Sequence, residues 1–144
     1  MNYEQKIDLL NSRDIDEAYK ILLEFEDISE KENSLYPYFD LFLNMIESPY
    51  YVIKLRGYRL ACKQAKWDTK NKINSNIDFL LKEIEDQKAT AVRQKIKALT
   101  DIVKYKTELH SSIKKYLQNY DVSIHQETMQ GLIRKDINDV IKAI

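Results

Sequence analysis

The chain contains very little glycine, proline or cysteine for its length. Its 144 residues include two glycines, two prolines and one cysteine. Average usage would supply about ten glycines and about seven prolines in a chain of this size. Sheets joined by tight turns need residues that accept a positive φ, whereas helices joined by polar linkers do not. The scarcity therefore predicts an all-α protein.

Other absences restrict the class of function. Cys62 has no second cysteine to form an internal disulfide, which indicates a reducing compartment. The N-terminus lacks the basic start and apolar run of a secretory signal. No apolar stretch approaches the roughly 20 residues of a membrane span. We therefore expect a cytoplasmic protein that does not associate with membranes.

The chain also lacks the motifs that carry common chemistry. Two glycines placed within helices cannot form a glycine-rich phosphate loop. There is no His-Glu-x-x-His motif and no cysteine pair, and the two histidines are isolated from each other in sequence. The sequence thus predicts no catalytic residue, no metal site and no cofactor, and the protein is expected not to be an enzyme.

Apolar residues recur three and four positions apart along nearly the whole chain. One such run comprises Ile15, Ala18, Leu22, Phe25 and Ile28. This spacing is that of one face of an α-helix. Polar linkers of a few residues separate about eight such segments, and short linkers make neighbouring helices antiparallel. The pattern predicts one helical domain over residues 1–144, either an irregular bundle or a row of stacked hairpins.

An internal repeat favours the stacked hairpins. Two segments share an aliphatic residue followed by arginine and, five positions later, a small residue: Leu55-Arg56 with Ala61, and Val92-Arg93 with Ala98. Their offset is 37 residues, and a weaker third copy lies near Met129 to Leu132. We expect the small residue to let its helix approach a neighbour closely. We expect the arginine to reach a carboxylate or the carbonyls of a turn.

This pattern resembles the HEAT and armadillo helical-repeat family, whose second helix commonly begins with a Val-Arg pair. The resemblance implies an α-α superhelix with a capping helix pair over 1–33 and hairpins over 34–68, 69–106 and 107–144. It also implies a non-enzymatic module that binds a protein or peptide partner on its inner face. The chain is expected to be a monomer or a weak homodimer. An irregular helical bundle is the alternative fold.

Charge is unevenly distributed although the net charge is zero. Residues 1–47 hold 12 acids and 4 bases, and residues 48–144 hold 11 acids and 19 bases. One interpretation is a set of solvated helix faces. The other is a basic surface for an acidic partner or nucleic acid. The loose similarity to HEAT-like DNA-alkylation-repair proteins, which use a basic concave surface, supports the nucleic-acid alternative.

Aromatic and basic residues of the central helices form the candidate binding set. Such residues carry hot spots at protein interfaces, and they also stack on bases and hold phosphates. The ten tyrosines have a second interpretation as packing residues whose hydroxyls reach water. If the two arginine-bearing helices lie side by side, their cations form one continuous basic patch. The predicted partner-binding residues are Arg56, Tyr58, Arg59, Lys63, Trp67, Arg93, Lys97 and Lys104.

Overall fold

The computed structural model of the protein describes residues 1–144 and contains nine α-helices and no strand. The prediction of an all-α protein is therefore confirmed. The helices are α1 Tyr3–Leu10, α2 Ile15–Lys31, α3 Phe39–Ile46, α4 Tyr51–Lys63, α5 Lys72–Ser75, α6 Ile77–Lys82, α7 Ala89–Tyr105, α8 His110–Gln118 and α9 Glu127–Lys142. Short 3-10 turns at 36–38, 64–67, 107–109 and 122–124 adjoin several of them.

Local side chains determine where several helices begin. Asn2 and Gln5 form a capping box at the start of α1, and the Asp14 carboxylate accepts from the first backbone N–H groups of α2. The Ser48-Pro49 pair precedes α4, but the helix begins two residues later, because Ser48 Oγ accepts from Tyr50 N–H in a turn. Each cap satisfies a backbone N–H that the helix itself leaves unpaired.

The segment between residues 69 and 88 contains no long helix. It forms two short helices, α5 and α6, that meet at Asn76. Asn71 precedes α5 with φ 52°, a left-handed conformation that asparagine tolerates better than most residues. Lys106 Nζ donates to Asn71 Oδ1 at 2.8 Å. A polar run with two backbone interruptions therefore replaces a continuous helix.

The chain divides into an N-terminal unit, Met1–Asp68, and a C-terminal unit, Thr69–Ile144. In the N-terminal unit α1 packs on α2, α3 packs on α4, and α2 packs along α4. In the C-terminal unit α5 adjoins α6, α8 packs on α9, and α7 packs along α9. Each unit has its own buried apolar core, which in the N-terminal unit includes Leu10, Phe25 and Phe42.

The four longest helices, which are the second helices of the predicted hairpins, begin at regular intervals along the chain. Helices α2, α4, α7 and α9 begin at residues 15, 51, 89 and 127, at intervals of 36, 38 and 38. Their seventh and eleventh residues are buried in every case. These residues are Ile21, Gly57, Lys95 and Ile133 at the seventh position and Phe25, Ala61, Leu99 and Ile137 at the eleventh. The same two positions thus face the core four times along the chain.

This register corrects the 37-residue alignment by one position. The starts of α4 and α7 are 38 residues apart, so Ala61 corresponds to Leu99 and not to Ala98. Arg56 is the sixth residue of its helix and Arg93 is the fifth. One residue rotates a side chain by about 100° around a helix. The two arginines therefore point in different directions and have different partners, as described below.

The close approach between α3 and α4 depends on Gly57, where the sequence predicted Ala61. A Cβ atom at Gly57 would lie 2.5 Å from Phe42 O and 2.6 Å from Met45 Cβ. Glycine is the residue that lets two helix backbones come this near. At Gly131, in contrast, an added Cβ atom would meet nothing within 4 Å, and α9 runs through this residue without interruption.

The division of 1–144 into a capping pair and three hairpins stays a prediction, as does the superhelical stacking of those hairpins. No helix combines the length and the apolar character that crossing a membrane requires.

Candidate binding surface

Two predicted binding cations on α4 form ion pairs with α2. Arg59 binds Glu26 through two hydrogen bonds, Nη2 to Oε1 at 2.7 Å and Nε to Oε2 at 3.1 Å. Lys63 Nζ pairs with Glu30. Both pairs join residues 33 apart in sequence. Because the contacts advance together along both helices, α2 and α4 run parallel with their charged edges facing each other.

The cations of α7 face acids on α9 in the same manner. Arg93 Nε donates to Asp136 Oδ2 at 2.6 Å, and this hydrogen bond raises the pKa of Arg93. A hydrogen bond from Lys135 is the main cause that lowers the pKa of Asp139, and the charge of the exposed Lys97 lowers it further. In each unit, bases on one of the two long helices therefore lie opposite acids on the other.

Arg56 and Tyr58 lie in the interior of the N-terminal unit. Arg56 Nη1 donates to Leu10 O at 2.8 Å and to Ser12 O at 2.6 Å, carbonyls that the end of α1 leaves unpaired. Burial lowers the pKa of this guanidinium from its usual value. Tyr58 is fully buried. These two side chains hold the unit together and are not available at its surface.

The remaining two predicted residues are accessible. Lys104 is exposed, with Nζ 5.3 Å from the ring centroid of Tyr105. Trp67 is half-buried, and its Nε1 donates to Ser29 O at 2.7 Å. Lys66 Nζ lies 5.0 Å from the Trp67 ring centroid. Trp67 therefore anchors the end of α4 to α2 while part of its ring reaches the surface.

The structure thus groups the predicted residues by unit. Arg56, Tyr58, Arg59, Lys63 and Trp67 belong to the N-terminal unit, and Arg93, Lys97 and Lys104 belong to the C-terminal unit. Within each unit, the cations that reach the edge of a second helix have acidic neighbours. The continuous basic patch stays a prediction.

The sequence analysis missed an exposed apolar stripe on α2. Ile15, Tyr19 and Leu23 follow one another at intervals of four residues and are 63%, 50% and 44% exposed. Ile15 belongs to the apolar run of the sequence, but it lies outside the buried face of the helix. The buried face of α2 consists of Ala18, Ile21, Leu22, Phe25 and Ser29. The spacing of 15, 19 and 23 is itself helical, so this second stripe was the available signal.

Two exposed tyrosines at the start of α4 add to the apolar surface of the N-terminal unit. Tyr50 and Tyr51 are both exposed. The guanidinium of Arg13, at the start of α2, lies 4.3 Å from the ring centroid of Tyr50, which brings the beginnings of α2 and α4 together. Because α2 and α4 are parallel, their first turns lie at the same end. We call Ile15, Tyr19, Leu23, Tyr50 and Tyr51 the apolar face.

The other tyrosines of this unit are packing residues with satisfied hydroxyls. Tyr36 OH donates to Asp68 at 2.5 Å, and Tyr38 OH donates to Glu4 at 2.7 Å. The Tyr38 bond lowers the pKa of Glu4 and raises the pKa of Tyr38. The packing interpretation holds for these residues, and only Tyr50 and Tyr51 of the central tyrosines are exposed.

The C-terminal unit contains a cleft of about 820 Å³ lined by residues of α6, α8 and the turn that follows α8. Tyr116 and Tyr120 form one wall. Burial, followed by the nearby charge of Glu85, raises the pKa of Tyr116 and raises that of Tyr120 to about 12. Tyr120 OH also lies 2.8 Å from His125 Nε2. The exposed lysines Lys82 and Lys115 share the lining with acids, so the cleft has no single charge preference.

Cys62 and the two histidines are all at least partly buried. The chain has no cluster of three histidine, cysteine or acidic side chains that could hold a metal ion. Cys62 is buried and free. His110 Nε2 lies 2.7 Å from Val103 O, and His125 is buried beside Tyr120. Each histidine therefore has a local packing partner.

No family model matches the chain, and neither the curated proteins nor the solved structures contain a significant match to it.

Proposed function

We propose that this chain is a non-enzymatic helical-repeat module of the HEAT or armadillo kind that binds a protein or peptide partner. The regular spacing of the four second helices supports the repeat, because a hairpin that cannot bury its apolar face alone stacks on its copies. The binding surface of the module is the apolar face on α2 and α4.

The apolar face is the observation that carries this proposal. Ten large apolar side chains are exposed in the chain, and five of them belong to this face. A soluble helix in contact with water on one side normally places polar residues there. Clustered exposed aromatic and aliphatic residues mark interaction sites, and tyrosine is enriched at interfaces.

The experiment compares two matched double variants. Ile15→Ser with Leu23→Ser removes two side chains of the apolar face. Leu41→Ser with Ile124→Ser removes the same two residue types elsewhere, where Leu41 is 42% and Ile124 is 64% exposed. Both variants must first give the far-ultraviolet circular dichroism spectrum of the unaltered protein. Proteins captured from a cell extract by each immobilised variant are then quantified by mass spectrometry.

A specific partner should be retained by the unaltered protein and by the control variant, and should be lost from the variant of the apolar face. Burial of one such side chain contributes about 1.5–3 kcal/mol, so losing two should reduce affinity by about tenfold or more. Equal capture by all three proteins would refute the assignment of the binding surface.

Nucleic-acid binding is the second candidate from the sequence, and it has less support. Arg59, Lys63 and Arg93 pair with carboxylates, and Arg56 is buried. A phosphate would have to compete with these acids. Electrophoretic mobility of a DNA or RNA duplex at about 50 mM salt tests this candidate, because genuine phosphate contacts give binding that weakens steeply with salt.

A further inference from the structure

We infer that the partner segment bound by the apolar face is a basic amphipathic helix. This inference rests on the proposed function and adds the chemistry of the partner. Three observations carry it: the spacing of the apolar side chains, the parallel course of α2 and α4, and the charge of the unit that presents them.

The spacing matches the contact stripe of a short helix. From Ile15 to Leu23 is eight residues, which corresponds to about 12 Å along the helix axis. Two turns of a partner helix present apolar side chains over the same length. Helix-in-groove recognition uses such anchors at intervals of three and four residues.

The two parallel helices define where the partner helix lies. At their C-terminal halves, the Glu26–Arg59 and Glu30–Lys63 pairs close the space between α2 and α4. At their N-terminal halves the apolar face is exposed. The partner's apolar side therefore docks against the first two turns of α2 and the beginning of α4.

The charge of the N-terminal unit selects a basic partner. Residues 1–68 hold thirteen acids and nine bases, a net charge of −4. Asp16 and Glu17 lie in the first turn of α2 and are both exposed, and Asp16 follows Ile15 directly in the chain, while the Arg13 guanidinium over Tyr50 is a cation on the same face. Neither forms an ion pair or a side-chain hydrogen bond through its carboxylate, whereas Glu26 and Glu30 are neutralised by α4. Charges at the rim of an interface accelerate association with a partner of opposite sign and disfavour partners of like sign.

The test uses three synthetic fluorescent peptides of about 18 residues. The first has leucines three and four positions apart and lysines on its other faces. The second replaces every lysine with glutamate, and the third has the composition of the first in an order that gives no apolar stripe. Fluorescence anisotropy measures each affinity, and backbone amide NMR shifts of the protein locate the bound peptide.

Four protein variants divide the possible causes of binding. The Ile15→Ser, Leu23→Ser pair and its Leu41→Ser, Ile124→Ser control test the apolar contact. Asp16→Lys with Glu17→Lys tests the charge. Its control is Asp78→Lys with Glu127→Lys, because these exposed acids also lie in first turns, those of α6 and α9, and have the same relation to the helix dipole.

We expect only the basic amphipathic peptide to bind, with shifts centred on Ile15, Tyr19 and Leu23. The serine pair at 15 and 23 should weaken binding at least about tenfold. The lysine pair at 16 and 17 should weaken it about three- to tenfold, and less at high salt. Neither control pair should change the affinity beyond about twofold.

Other results overturn the inference. Equal affinity for the acidic and basic peptides, or no effect of the lysine pair at 16 and 17, would contradict the charge of the partner. If the serine pair still abolished capture of a cellular partner, the proposed function would nevertheless stand. Equal binding of the scrambled peptide, shifts centred outside the apolar face, or no binding at about 1 mM peptide would exclude the amphipathic helix as the occupant.

Discussion

Replacing each glycine by alanine should change stability in opposite directions at the two sites. Both glycines lie inside helices, Gly57 in α4 and Gly131 in α9. Alanine is favoured over glycine in a helix interior by about 1 kcal/mol. On sequence grounds alone, both substitutions would therefore stabilise the protein by a similar amount.

The structure changes this expectation at Gly57 only. The added methyl group would lie 2.5 Å from the backbone oxygen of Phe42 and 2.6 Å from Met45 Cβ. Neither atom can move unless α3 moves away from α4. Overpacking of a buried contact typically costs about 1–3 kcal/mol, and contact with backbone puts this site at the upper end. After subtracting the gain in helix propensity, Gly57→Ala should destabilise the protein by about 2 kcal/mol.

At Gly131 nothing opposes the gain, because no atom lies within 4 Å of the added methyl group. Gly131→Ala should stabilise the protein by up to about 1 kcal/mol. Urea unfolding followed by circular dichroism at 222 nm gives both differences, provided that the slope of free energy against urea is unchanged. A Gly57→Ala protein as stable as the unaltered one would refute the close approach of α3 and α4.

Three further substitutions test buried or paired polar groups. Arg56→Met should lower the free energy of unfolding, measured in urea, by about 3 kcal/mol, because it leaves the carbonyls of Leu10 and Ser12 without a donor. Arg56→Lys should lower it less, and equal losses would contradict the two-acceptor geometry. Arg93→Ala should lower the free energy of unfolding by about 1–3 kcal/mol, because it leaves the Asp136 side chain, which is 3% exposed, without its cation. A double-mutant cycle with Asp136→Asn should give a coupling energy well above zero. The pKa of Tyr120 is raised to about 12, so the folded state keeps a proton that the unfolded state loses near pH 10. The free energy of unfolding should therefore fall as the pH rises from about 10 to 12. Absorbance at 295 nm should show late-titrating phenols, and their number should fall by one in the Tyr120→Phe protein, because Tyr38 and Tyr116 also have raised pKa values. Ten tyrosines titrating together near pH 10 would contradict this.

The helical class could be predicted because it depends on composition and on apolar periodicity. Scarce glycine and proline and spacings of three and four residues leave few alternatives to an all-α chain. The exact register could not be predicted from the arginine motif. An offset of 37 residues aligns Ala61 with Ala98, and an offset of 38 residues aligns Leu60 with Ala98. Both alignments contain at least one small residue at this position, so residue size does not distinguish them. Only the burial pattern of the folded chain distinguishes the two alignments.

The candidate site was harder to predict because charged and apolar side chains here have roles opposite to their usual ones. Lysine is rarely fully buried unless paired, so nothing marked Lys95 as an interior residue. Its Nζ donates to Glu83 O at 2.6 Å beyond the end of α6. Conversely, Ile15 belongs to an apolar helical pattern that predicts burial, yet it is exposed. Burial depends on which face of α2 receives α1 and α4, and a single helix does not encode that choice.

Arg56 and Lys95 show why the basic composition of the central segment was a poor guide to a binding surface. Each is a cation on a long helix, and each donates to a backbone carbonyl at the end of a shorter helix, α1 for Arg56 and α6 for Lys95. Those carbonyls carry the partial negative charge of the helix terminus and have no partner within their helix. A buried cation there satisfies them and holds the end of α1 against α4 and the end of α6 against α7. Arg56 and Lys95 are therefore used within the fold, whereas the apolar face is exposed and has no such role in it.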